Sequence, residues 1–133
     1  IVGRNPDPAV VALNRLPGVM VTGAVPDTRG WLAAADVVVA PLRIARGVQN
    51  KVLEAMAMAR PVVASRQAAE GIDARPNEHL LVADDPASEA AAACALIDDP
   101  ARARAMGLAA RARMEARYRW SATLADLPAM LAP

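Results

Sequence analysis

The sequence contains no phenylalanine, and Trp31, Trp120 and Tyr118 are its only aromatic residues. Hydrophobic residues nevertheless make up 55% of it, so Val, Leu, Ala and Met must fill the interior, and such small side chains imply closely approaching helices and strands. The two tryptophans are expected to pack helices against a sheet, because a buried indole supplies large apolar area with a single donor to satisfy. Cysteine is equally scarce. The one thiol, Cys94, excludes an internal disulfide; within the Ala-rich run 90–95 it reads as a small buried hydrophobe, and a reducing, cytoplasmic setting fits. No sign of charge dominates, since 15 basic residues face 14 acidic ones for a net charge of +1. That balance provides no global field for nucleic acid, and any anion must be held locally. No apolar run approaches the roughly 20 residues that cross a bilayer, and no charged-then-apolar leader precedes the first strand.

What is present is alternation. Short β-branched runs exchange with longer Ala/Leu/Met/Arg segments, the pattern of buried parallel strands joined by covering helices, which places the chain in the α/β class. Strands are expected at Ile1–Gly3, Val19–Gly23, Val37–Ala40, Val62–Ser65 and His79–Val82. Helices are expected at Ala9–Asn14, Thr28–Ala35, Lys51–Ala59, Ser88–Asp98, Ala101–Arg117 and Ser121–Leu131. Asp98, Asp99 and Pro100 end one helix and start the next, and Ser121 is a candidate N-cap. Residues 1–133 suit one domain. The chain opens at Ile1 inside an apolar stretch without an initiating Met, which suggests a fragment of something longer. Arg102, Arg104, Arg111, Arg113, Arg117 and Arg119 recur along the penultimate helix, where a solvated amphipathic face is the preferred reading over one that binds acidic lipid.

In doubly wound α/β sheets ligands bind beyond the carboxyl ends of the strands, where loops meet helix N-termini. The richest such loop runs from Pro41 to Asn50 and feeds the helix that begins near Lys51. Gly47 lets backbone approach a ligand without a Cβ, Asn50 can cap the helix, and Lys51 adds positive charge at the same end. Arg43 and Arg46 can grip phosphate oxygens in a fork, beside the amide of Gln49. Glu54 could accept from the paired hydroxyls of a ribose or hexose, or could equally serve the helix dipole and Lys51. His79 reads as a capping or core-edge residue, and Glu70 as a loop-surface carboxylate.

The run Asp36-Val-Val-Val-Ala-Pro41, then Gly47, then Asn50-Lys-Val-Leu-Glu54 through Arg60-Pro-Val-Val-Ala-Ser65, resembles the central signature of the group 1 glycosyltransferases, the retaining two-lobed transferases. The likeness continues at Val21–Pro26, Gly71-Ile72, His79–Ala83 and Tyr118–Ser121, and so spans nearly the whole chain. In wording the core also resembles a bacterial subset linked to exosortase-associated exopolysaccharide loci. The resemblance implies a Rossmann-like parallel sheet with helices on both faces, the C-terminal half of a GT-B enzyme that lacks its first strand and helix. It implies a nucleoside-diphosphate sugar as donor substrate, no cofactor, and no metal, in keeping with one His, one Cys and no clustered acids at ligand spacing. Carried over by position, Glu54 would hydrogen-bond the ribose, the backbone of Gly23, Ala24 and Val25 would recognise the base, and Gly47 would meet the transferred sugar.

Two positions depart from that pattern. Arg46 stands where the family often has a second Glu facing the sugar, which leaves the donor sugar open. Ala59 stands where a Gly is usual at the helix C-terminus, so a left-handed turn there would cost about 1 kcal/mol. No residue qualifies as a nucleophile or dedicated general base. The expected partners are the donor and an N-terminal acceptor lobe outside the chain, with peripheral association of the full enzyme at the inner membrane face and a homodimer through unpaired strand edges as further expectations. A nucleotide-sugar epimerase of the same shape and a non-catalytic assembly module with a decayed site are the alternatives.

Overall fold

The computed structural model describes residues 1–124. The backbone divides into two compact units, Ile1–Ala34 and Ala35–Pro133, and each is described by itself.

The first unit holds helix α1 (Pro8–Ala12), continued by a 3-10 turn at Leu13–Arg15, and helix α2 (Arg29–Ala34). Asp7 caps α1 by accepting from the Ala9 amide, with Pro8 in the first turn where a missing N–H costs nothing. The expected strands at Ile1–Gly3 and Val19–Gly23 do not form as strands. Two backbone bonds join them, Thr22 N to Ile1 O (3.0 Å) and Gly3 N to Gly23 O (3.1 Å). The extended run then breaks at Gly23, whose φ of 70° lies outside the strand region.

The second unit carries a parallel sheet in the order β1-β2-β3, with β1 at Val38–Ala40, β2 at Val62–Ala64 and β3 at Leu81–Val82. All three residues of β2 are fully buried, as a central strand covered on both faces must be. Helix α3 (Asn50–Ala57) packs on β1 and β2, α4 (Arg66–Ala69) follows β2, and α5 (Pro86–Asp98) and α6 (Pro100–Arg117) close the domain, with α7 (Trp120–Thr123) beyond them. Val63, Leu81, Leu96 and Met106 form one part of the core, with alanines filling the gaps between them.

Several sequence expectations are corrected here. Asn50 is the first helical residue and not the cap: the Gln49 carbonyl accepts from Val52 (2.9 Å) and Leu53 (3.2 Å), and no side chain caps α3. Ser121 sits inside α7, whose cap position is Arg119; the rest of the helix expected to Leu131 lies outside the described residues. His79 is excluded from the strand because its ring Nδ1 and its backbone N–H both engage the backbone of Arg75 and turn the chain (2.9 and 3.0 Å). Cys94 is exposed on α5. Trp31 and Trp120 are 43% and 80% exposed, so neither indole is buried as expected. Helix α4 escaped notice since its cap, Ser65, reads equally well as the end of β2.

Other expectations hold. Asp99 caps α6 through Arg102 N (3.0 Å) with Pro100 following, and Asp85 caps α5 through Ala87 and Ser88. Ala59 does adopt a left-handed φ, 55°. Arg60 N reaches Ala55 O and Ala59 N reaches Met56 O, the paired bonds of a Schellman end. Four of the six arginines along α6 and its exit are ion-paired within the unit, Arg111 and Arg119 sharing Glu115, Arg113 and Arg117 sharing Asp73. That pairing favours the solvated-face reading. Among the described residues no helix is long and apolar enough to cross a membrane.

Candidate functional site

The loop between β1 and α3 leaves the carboxyl end of the sheet and returns through a tight turn at Gly47, whose left-handed φ of 65° favours glycine. Two contacts brace that turn. The Gln49 side-chain amide donates to the carbonyls of Arg46 (3.1 Å) and Gly47 (3.3 Å). From behind, Gly71 presses so closely that a Cβ there would stand 2.6 Å from the Gly47 carbonyl carbon and 3.0 Å from Val48 N. Both glycines singled out from sequence therefore act on one piece of backbone, Gly47 by its turn and Gly71 by its approach.

The charged residues around this turn are open to solvent. Arg43, Arg46, Asn50, Lys51 and Glu54 are exposed, and Gln49 is half-buried. Lys51 and Glu54 share a side of α3, three residues apart, while Val52, Ala55 and Met56 bury the other. In the first turn of α3 the Val52 amide is taken by the Gln49 carbonyl, while the Asn50 and Lys51 amides have no backbone or side-chain acceptor among the described residues and remain available to an anion.

Two recesses are lined by residues before and after the turn. Arg43 lines one, about 640 Å³, at the carboxyl ends of the strands, together with Leu42, Ser65, Gln67, Asp84 and Glu89. Its wall is tied by Ser65 Oγ donating to Leu42 O (2.7 Å) and by the Arg66–Asp84 pair (2.5 Å), which joins the loops after β2 and β3. Glu54 lines the other, a groove of about 470 Å³ between α3 and the end of α6, beside Leu53, Arg111, Met114, Tyr118 and Arg119. Glu115 lines the same groove and pairs with both guanidinium groups, which leaves the Glu54 carboxylate without a side-chain partner among the described residues and able to accept from hydroxyls. Gly23, Ala24 and Val25 lie in the first unit, where the Gly23 carbonyl is taken by Gly3 N (3.1 Å) and the Thr22 hydroxyl (3.0 Å).

Sequence reasoning missed Asp73. Its carboxylate pairs with Arg113 and with Arg117 (2.5 Å), its carbonyl accepts from Arg113 Nε (2.8 Å), and its N–H donates to the Tyr118 hydroxyl (2.7 Å). The two guanidinium groups hold the carboxyl below its ordinary value. Gly71-Ile72 and Tyr118–Ser121 were both visible as motif blocks, but nothing in the sequence pairs segments 45 residues apart. Glu70 is exposed, as expected of a surface carboxylate. His79 is 6% exposed, with its Nε2 3.4 Å from Glu78.

The family profile of the glycosyl transferases group 1 matches residues 1–99. The chain belongs to that family. Among solved structures, the sucrose-phosphate synthase of Thermosynechococcus elongatus is 28% identical with a TM-score of 0.77, over 92% of this chain and 31% of that one. Anabaena HepE, in complex with UDP, is 20% identical with a TM-score of 0.75, over 92% and 34%. A glycosyltransferase from Rickettsia africae is 18% identical with a TM-score of 0.71, over 91% and 33%. This group 1 chain thus spans about a third of each of those structures, as a partial GT-B domain. Comparison with curated protein sequences gives no match.

Proposed function

We propose that this chain is the donor-binding part of a retaining glycosyltransferase that moves a hexosyl-type sugar from a nucleoside diphosphate to an acceptor, in polysaccharide or glycoconjugate synthesis. The observation that carries the reading is the braced Gly47 turn: it delivers the uncapped α3 N-terminus, Lys51 and Glu54 together, with Arg43 and Arg46 on the loop before it. The amides and basic side chains would stabilise a departing diphosphate, and Glu54 would hold the ribose through its hydroxyls. Catalysis is then a matter of positioning and of charge set in place beforehand. Anabaena HepE is in complex with UDP, which supports a nucleoside diphosphate as the ligand class.

Titration of the full-length protein with a panel of nucleoside diphosphates and their sugars tests this. One nucleotide is expected to bind, Glu54→Gln to weaken it about tenfold or more, and EDTA to leave binding unchanged. Absence of binding by the whole panel would replace the enzyme with a non-catalytic module, the reading to which Arg46 points by standing where a sugar-facing Glu is common.

A further inference from the structure

The brace behind the Gly47 turn is itself held from a distance. Gly71, which backs the turn, lies two residues before Asp73, and the segment between them is short and stiff: Ile72 is buried, with its N–H bonded to Ala69 O (2.9 Å), and Ala74 N bonds to Ile72 O (2.8 Å). Asp73 is then gripped by four contacts from the end of α6, one to its N–H, one to its carbonyl and two to its carboxylate. A single exposed residue does not ordinarily take that many partners, because each ordered side chain costs rotamer freedom. The same Tyr118 whose hydroxyl receives the Asp73 N–H lines the groove beside Glu54. Asp73 therefore touches both sides of the candidate site without entering it, through Gly71 to the Gly47 turn and through Tyr118 to the Glu54 groove.

We infer that Asp73 is a positioning residue, which ties the end of α6 to the 71–74 segment so that Gly71 fixes the Gly47 turn and Tyr118 faces Glu54. The consequence for substrate handling rests on the donor-site reading above; the mechanical coupling does not. A loosened clamp lets the turn sample conformations in which the α3 amides and the arginines no longer converge, so the donor side of the reaction suffers and the acceptor side does not.

Amide hydrogen exchange on the full-length protein tests the coupling directly, comparing wild type with Asp73→Ala, with Asp73→Asn, which keeps the shape and the carbonyl contact, and with Gly71→Ala, which displaces the turn from behind. Exchange at Val52 and Leu53, whose amides are bonded to the Gln49 carbonyl at the exit of the turn, is expected to quicken about tenfold in Asp73→Ala and in Gly71→Ala, and less in Asp73→Asn, while β2 and the second half of α3 stay protected. Acceleration confined to 71–75 and 113–118, or spread evenly over the whole unit, overturns the inference. Kinetics form the second arm: donor KM should rise several-fold with acceptor KM unchanged, whereas a merely structural defect lowers kcat at constant KM. If wild type binds no nucleotide, the donor reading fails alone and the exchange result still decides the coupling.

Discussion

The two ends of helix α3 are built to opposite specifications. Its amino end has no side-chain cap, exposes Asn50, Lys51 and Glu54, and follows a loop of exposed arginines. Its carboxyl end closes in a full Schellman motif at Ala59, and α6 sits so close that a Cβ on Gly107 would come within 2.8 Å of the Ala59 carbonyl carbon. One helix thus divides its work by position, anchoring at the end where the chain leaves and offering unpaired groups at the end where it arrives. Stability should be concentrated at the first and function at the second.

Substitutions at the anchored end should show the largest effects. Met56 is fully buried, so Met56→Ala is expected to cost about 2–5 kcal/mol in urea unfolding, through lost transfer energy and the cavity left behind. Gly107→Ala sets two terms against each other. Alanine gains about 1 kcal/mol of helix propensity, yet the clash is with backbone that cannot swing aside, so a net loss of about 1–3 kcal/mol is expected; a stabilised variant would show that α6 can lift off α3 cheaply. Ala59→Gly should act in the other direction. Relief of the left-handed φ outweighs the added freedom of the unfolded chain, for a gain of about 0.5–1 kcal/mol in thermal unfolding.

At the open end the expected stability effects are the smallest. Glu54→Gln and Lys51→Ala should change unfolding by less than about 0.5 kcal/mol even as nucleotide binding falls, and a larger loss would mean that Glu54 serves the fold. Acid titration sharpens the contrast further. The folded Asp73 carboxyl lies below its ordinary value of 3.8, so its contribution is present above that value and is lost as pH falls through the lower, folded one. Asp73→Asn should flatten that acid limb of the stability curve, read by circular dichroism below pH 4.

What the sequence revealed follows the same division. The apolar runs around Val38, Val62 and Leu81 announced the parallel strands, of which β2 is buried throughout, as a central strand covered on both faces must be, while Val39 in β1 is exposed. The Gly47 turn and the helix after it could be read from local chemistry alone. The strain at Ala59 was legible only through the family resemblance, which sets a Gly at that position. Contacts set by packing were not legible: the burial of indoles, the approach of Gly71 to Gly47, and the grip of α6 on Asp73 depend on segments that meet only in three dimensions. The capping error at Asn50 arose differently, from a shift of one residue that propensity cannot resolve.

The outward placement of the tryptophans carries over to spectroscopy. With Trp120 80% exposed, its indole already meets water in the native state, and its emission maximum should barely move as the second unit melts. Fluorescence would then pass over a transition that backbone ellipticity records in full. Trp31, 43% exposed in the first unit, is partly shielded, so fluorescence should follow the first unit while ellipticity records the second.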